Sequence, residues 1–371
     1  MSLQRQGWQA KVFKWAAALA EFLQRLPNGL APPPFRLLQI GSAFWQSRAL
    51  YVAARLDLAT TLGDEQLTVA ELATRVGADP DALHRLLRLL SACGIFAIDR
   101  TGHLANNRLS QPLRADRPGG VRHMVLMHNS PEMSQPWFET LEQGIRSGQV
   151  PFDLCHGEEL YAHMDRHAPF NALFAQAMDE VDALSGDSFA TAFDWRQFDR
   201  LIDLGGSQGA KAAAILRRHR HLRAVVVDRP TVIAEARAHW ARQGDAACRD
   251  RIEFATGDLL QGAFPLSTGV RDAYLLCAVL HGFDDASCEQ LLRPLAQHVR
   301  ASGARIVVLE LVLAEHPADL TGASFDMQMF MGTRGRERTL PEWQALFERS
   351  GLRLTETVAL ASFASMLVLQ A

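Results

Sequence analysis

The stretch Leu201-Ile202-Asp203-Leu204-Gly205-Gly206-Ser207-Gln208-Gly209-Ala210 restricts what this chain can fold into more than any other. Its first four residues alternate in apolar character and read as a buried strand. They run straight into a glycine cluster, and Lys211 to Arg218 then follows with helical spacing. The expectation is a strand, a tight turn and a helix. Glycines at such a turn let the backbone approach a ligand closely, and the helix N-terminus beyond offers free N–H groups. Further on, Ala224-Val225-Val226-Val227-Asp228 is a second apolar strand ending in a carboxylate. Nucleotide-binding folds place there the acid that takes a pair of ribose hydroxyls.

A glycine turn alone is weak evidence, since many strand-to-helix turns carry glycine for local reasons. Repetition adds the weight. After a helix over Thr231 to Gln243, Arg251 to Asp258 reads as a third strand finishing in an acid, Asp272 to His281 as a fourth and Ala304 to Glu310 as a fifth. Strands alternating with helices, with polar residues at the strands' C-terminal ends, predict an α/β fold. Its core is a doubly wound open sheet with the ligand at the switch point.

A chain of 371 residues is too long for one average domain and suits two, and 48% hydrophobic against 21% charged residues predicts a well-filled core. The net charge of -3, without a Lys/Arg block, argues against nucleic acid or an anionic membrane as partner. Cys93, Cys155, Cys248, Cys277 and Cys288 have no framework spacing and read as reduced thiols of a cytoplasmic protein. Charges interrupt every apolar run before membrane-spanning length, and the N-terminus lacks signal-peptide features.

The N-terminal half reads as helical. Trp8 to Leu26 has helical spacing, ended by Pro27-Asn28-Gly29. Ala31 to Pro34 is a stiff connector, and Phe35 to Leu62 is a longer helix whose apolar surface covers a core or meets a second copy. Thr68 to Glu71 is a capping-box pattern, Ala82 to Cys93 a leucine-rich helix, and Ile95 to Ala105 a hairpin. Two helices and a small wing make a winged helix. Its second helix starts Asp79-Pro80-Asp81 and carries only Arg85 and Arg88, so dimerisation is favoured over DNA reading. From Met124 to Phe198 the pattern is helical and rich in Met, Phe, Trp and His, with Phe170, Phe174 and Met178 on one helix face. His163 and His167 are four apart, but the motif holds no carboxylate in a zincin arrangement, and no metal is expected.

His281, just past the fourth strand, is the candidate base. Glu310 ends the fifth strand and Glu337 precedes a helix over Pro341 to Arg349. A histidine held by carboxylates has its tautomer fixed and its pKa raised, as a base for a weakly acidic hydroxyl requires.

With these residues in place the chain resembles the S-adenosylmethionine-dependent O-methyltransferases of the plant caffeate type and their bacterial relatives in natural-product and antibiotic biosynthesis. The anchors are Asp203 to Gly209, Asp228-Arg229-Pro230, Gly257-Asp258, Leu280-His281-Gly282-Phe283 and Gly335 to Thr339, and the likeness runs from about Arg48 to the C-terminus. The resemblance implies a Rossmann-like methyltransferase sheet behind an all-helical dimerisation domain. The implied division is 1–35 as an arm, 36–120 as the winged-helix dimerisation domain, 121–195 as a helical acceptor region and 196–371 as the cofactor domain.

S-adenosylmethionine would be held by Asp203, Gly205, Gly206, Ser207, Asp228, Arg229, Gly257, Asp258 and Leu259, with Cys277 and Phe283 at the adenine end, and would leave as S-adenosylhomocysteine. His281 would be the base, with Glu310 and Glu337 positioning it. Met127, His128, Trp137, Phe170, Phe174, Met178 and Met329 would line the acceptor pocket of a homodimer. The chain departs from the family pattern at Ser207, which replaces a glycine, at Gly282, which replaces an aspartate, and at Cys277 and Phe283, which replace lysine and tryptophan. The expected activity is methylation of a hydroxyl on a small aromatic or polyketide-like metabolite. C- or N-methylation, a non-methylating reaction on the same cofactor, and a DNA-binding regulator are the alternatives.

Overall fold

The computed structural model describes residues 3–243, 245–316 and 318–371, with side chains from residue 7 on except at 20–22, 24–30 and 243. The chain divides into two compact units, Met1–Glu21 with Ser185–Ala371, and Phe22–Leu184. Strands in chain order are β1 Leu3–Gln6, β2 Leu67–Thr68, β3 Ala97–Ile98, β4 His103–Ala105, β5 Arg200–Leu204, β6 Arg223–Asp228, β7 Ile252–Thr256, β8 Asp272–Cys277, β9 Arg305–Leu313, β10 Arg338–Thr339, β11 Arg353–Ala359 and β12 Ala364–Gln370.

The first unit is built on a sheet of order β1-β11-β12-β9-β8-β5-β6-β7, with the short β10 paired to β9. The pairs from β9 to β7 are parallel, whereas β12 runs antiparallel to both β9 and β11. Alternation along the strands sends side chains to two buried faces. Leu201, Leu275 and Val307 pack with Ala212 to Leu216 of the helix Ala210–Arg218. Ile202, Tyr274 and Val308 pack with Leu291, Leu295 and Phe347 of the helices Asp285–Ser302 and Leu340–Arg349. Successive crossovers from β5 run outward through β6 to β7, and the next strand, β8, lies on the other side of β5. The topological switch is therefore between β5 and β8, which opens a crevice at their C-terminal ends.

The other unit has the helix Pro33–Arg55, the short helix Leu58–Leu62, the helices Val69–Val76 and Pro80–Ala92, and a small sheet of order β2-β4-β3. Leu58, Leu62, Leu72, Leu87, Leu90 and Leu104 fill its core, each at most 1% exposed. Shorter helices follow, ending in Ala168–Ser185.

Several local expectations shift. The helix expected to close at Pro27 continues to Leu30. The proline connector supplies the first turn of the next helix, where proline's missing N–H costs nothing. The long helix over 35–62 breaks at Asp57, whose φ of 54° is left-handed. The third strand stops at Thr256 rather than Asp258. The fourth stops at Cys277, because Ala278 takes a φ of 52° and turns the chain into the 3-10 turn Leu280–Gly282. β1, β2, β11 and β12 were not foreseen.

Candidate active site

Register sets the level at which the crevice is lined. Leu204 of β5 pairs with Leu276 of β8, and Cys277 pairs with Leu309 of β9, so Gly205 just past β5, Cys277 at the end of β8 and Glu310 within β9 lie at nearly one height; the fifth strand runs on to Leu313 rather than stopping at Glu310 as expected. Gly205 has a φ of 72°, and a Cβ there would fall 2.7 Å from Val279 and 3.6 Å from Leu259. Only glycine fits that close approach. Asp203, 1% exposed, lies beneath the turn, where a Cβ on Gly206 would come within 2.6 Å of its carboxyl. Ser207 sits in the left-handed region at 51° and donates its N–H to Asp228 Oδ2 at 2.9 Å. The Arg229 N–H donates to Oδ1 of the same carboxylate at 2.8 Å. Two amides thus fix the Asp228 carboxylate while each oxygen keeps a lone pair.

Asp258 is exposed beyond β7 and accepts the N–H groups of Leu260 and Gln261 at 3.0 and 3.2 Å, which shapes the loop bearing Leu259. Gly257 packs tightly, its Cβ position lying 2.3 Å from the Ala263 carbonyl. Phe283 is half-buried at the end of the 3-10 turn. The helix Ala210–Arg218 starts at Gly209 with no side-chain cap, so its first-turn amides are available to an anion. A fixed carboxylate with lone pairs left for hydroxyl donors and an uncapped helix end fit a nucleoside that carries a carboxylate of its own.

Past Ala278 the chain wraps around Glu310, whose Oε1 accepts the N–H groups of Val279, Leu280 and His281 at 2.9, 2.8 and 3.4 Å. Its Oε2 is 3.9 Å from His281 Nδ1, and Glu337 Oε1 is 2.8 Å from the same nitrogen. Both carboxylates are at most 2% exposed. Burial opposes protonation of the ring, but the charge of Glu310, and then the hydrogen bond and charge of Glu337, push the His281 pKa up to about 9. Burial likewise pushes the Glu310 carboxyl above its ordinary range, which the His281 charge opposes. The three residues expected to form the catalytic group thus meet at one point.

In the other unit Met127 and Phe170 are buried, Phe174 and Met178 half-buried and Trp137 is 37% exposed. The Phe170 and Phe174 rings meet edge-on at 6.3 Å. His128 is half-buried, and burial lowers its pKa. Met329 is half-buried on the helix Leu320–Gly332 of the first unit. The histidine pair at 163 and 167 does have a carboxylate beside it, Glu158, 2.8 Å from His163 Nδ1. Arg166 also pairs with that carboxylate, and the two imidazoles stack at 3.8 Å and 18°. His167 Nδ1 meets the His163 carbonyl at 2.8 Å, and the side chains of Glu158, His163 and His167 bring one possible ligand atom each within 4.8 Å of one another.

An O-methyltransferase domain model matches residues 138–353, and an O-methyltransferase dimerisation domain model matches residues 38–114. The chain belongs to the O-methyltransferase family. The methyltransferase is 32% identical over 317 residues to the mitomycin biosynthesis 6-O-methyltransferase of Streptomyces lavendulae, covering 85% of this chain and 87% of that one. It is 31% identical over 332 residues to the phenazine-1-carboxylate N-methyltransferase of Pseudomonas aeruginosa, covering 90% and 96%. A crystal structure of the O-methyltransferase from neocarzinostatin biosynthesis, in complex with S-adenosylmethionine and 2-hydroxy-5-methyl naphthoic acid, superposes with a TM-score of 0.73 at 27% identity, covering 88% and 95%.

Sequence reasoning missed two residues of the methyltransferase's site. Asp326 Oδ1 accepts the Glu337 N–H at 2.9 Å, and Arg338 grips the turn that carries His281. Asp326 had no signal, being a lone acid on the helix Leu320–Gly332 outside every motif. Arg338 stood inside a quoted motif, beside Glu337.

Proposed function

We propose that this methyltransferase carries a methyl group from S-adenosylmethionine to a hydroxyl of a small aromatic or polyketide-like metabolite, with His281 taking the hydroxyl proton. When bound, the cofactor supplies a methyl already activated on sulfonium and leaves as S-adenosylhomocysteine. Asp228 would orient the ribose, the Gly205–Gly206 turn would lie against the cofactor, Leu259, Cys277 and Phe283 would bound the adenine, and the open amides after Gly209 would receive the carboxylate. His281 donates from Nδ1 to Glu337, which leaves Nε2 as the acceptor for the incoming proton. A base with pKa about 9 is close to a phenol at ~10, so proton transfer is nearly balanced, whereas an aliphatic alcohol is far too weak an acid for it.

The observation that carries this reading is the 2.8 Å bond between His281 and Glu337, one strand end from the glycine turn. Replacing His281 with Ala should slow methyl transfer to a phenolic acceptor by about 10² to 10⁴ with cofactor affinity kept. A variant as fast as wild type would remove His281 from the chemistry. A nitrogen acceptor is the second reading, since the Pseudomonas relative is named an N-methyltransferase. A nucleophilic nitrogen needs little help from a base, so the same substitution would then cost far less.

The acceptor contacts are assigned to Met127, His128, Trp137, Phe170, Phe174, Met178 and Met329. The enzyme would act as a cytoplasmic homodimer, with 36–120 as the dimerisation domain, 121–195 as the acceptor region and 196–371 as the cofactor domain. The matched dimerisation model and the exposed apolar side chains Phe35, Leu37, Leu38 and Trp45, each at least 61% exposed, support the homodimer.

A further inference from the structure

We infer that Arg338 is the positioning residue of the catalytic pair: its guanidinium ties the carbonyls on both sides of His281 while the adjoining Glu337 holds the imidazole. This rests on the reading of His281 as base. Arg338 is 1% exposed. Its Nη1 donates to the Leu280 carbonyl at 3.3 Å and the Arg336 carbonyl at 3.1 Å, and its Nη2 to the Phe283 carbonyl at 3.0 Å. Nε and Nη2 both reach Asp285 Oδ1, at 3.0 and 2.8 Å, and the guanidinium lies 4.8 Å from the Trp343 ring centroid.

A buried guanidinium is costly to desolvate, and well-packed apolar side chains often serve stability as well. What an apolar side chain cannot do is hold residues 280 and 283 at a set distance from residue 337. Two further features depend on that spacing. A Cβ on Gly335 would fall 1.9 Å from the His281 carbonyl oxygen, so this loop is pressed against the turn. Arg338 also pairs with Val312 in the β9–β10 register, two residues beyond Glu310. The imidazole is thereby set between two carboxylates on one frame. The charged or titratable groups around it are Glu310 from β9, Glu337 and Arg338 from the loop and β10, Asp326 from the helix Leu320–Gly332, and Asp285 and Cys288 from the helix Asp285–Ser302.

Histidine-labelled protein, with the His281 resonance assigned by its loss in His281→Ala, allows the imidazole to be titrated by NMR without any acceptor. Arg338→Lys keeps the charge but loses the fork that reaches both carbonyls. It should lower the His281 pKa by about one unit, in the direction of Glu337→Gln, and the double variant should go little further than Glu337→Gln alone. A purely structural arginine would lower the melting temperature and leave the His281 titration in place, and that result overturns the inference. If Arg338→Lys does not fold, Asp285→Asn, which releases the guanidinium on its half-exposed side, should give a smaller shift of the same sign, and an unmoved titration there overturns it as well. Methyl transfer that survives His281→Ala would instead defeat the reading of the base, and the two failures are separable.

Discussion

At the scale of the residue, the proposed role of His281 as base ties rate and stability to pH. Its pKa of about 9 lies above the ordinary 6.5, so the ring is held as a cation near neutrality and as the proposed base would have to lose its proton to act. Methyl transfer to a phenol should therefore rise with pH along a limb at or below about 9, lowered further by the positive charge of bound sulfonium. In Glu337→Gln that limb should move to lower pH with a reduced plateau, and a rate profile unmoved from wild type would show that Glu337 does not set the ring's protonation. Because protonation is favoured in the folded state, the stabilising contribution of His281 is complete below about pH 6.5. It is lost as pH rises through about 9, and denaturant titrations of wild type against His281→Ala across that window would measure it. Asp228→Ala removes the acceptor of two backbone amides, at Ser207 and Arg229, together with the proposed ribose contact. Calorimetry should show weaker S-adenosylhomocysteine binding, and an unchanged affinity would dismiss the ribose role.

At the scale of the element, short-range rules were the legible ones. The capping box at Thr68 and Glu71 is present, with the Glu71 N–H donating to Thr68 Oγ1 and the Thr68 N–H to Glu71 Oε2. A second box at Thr339 and Glu342, not foreseen, starts the helix Leu340–Arg349 right after Arg338. Thr339→Ala should cost about 1 kcal/mol in chemical denaturation. Elements set by one residue's backbone were not legible. Asp57 and Ala278 adopt left-handed φ values that an apolar period does not report, and each moved a boundary. The turn at Ala278 is held in place by contacts from far along the chain, with the Leu309 carbonyl accepting its N–H at 3.0 Å and Glu310 accepting the next three. The three members of the proposed catalytic group could be picked out by residue type and by the motifs that carry them, while Arg338 and Asp326, whose contacts come from pairings between distant segments, could not.

At the scale of the whole molecule, the parallel sheet was visible because β5, β6, β8 and β9 are buried on both faces and read as apolar runs. β11 carries Thr355, Glu356 and Thr357 among its apolar residues, and β12 offers only the four-residue apolar run Met366 to Leu369 with no helix beside it, so neither was announced. The exposed apolar face near the start of the helix Pro33–Arg55 leads to a prediction at this scale. Leu37→Asp combined with Leu38→Asp should convert the proposed dimer to monomer in sedimentation, and a dimer that persists at the same concentration would put the contact elsewhere.

β12 lies between β9 and β11 and bonds to both, yet it is made of nearly the last residues of the chain. During synthesis β9 must wait for this neighbour until β12 has emerged, whereas every residue of Phe22–Leu184 has emerged long before. Folding of the two units is therefore staggered in time. A chain cut short before Ala364 would lack a middle strand of the sheet, a far heavier lesion than the loss of a tail.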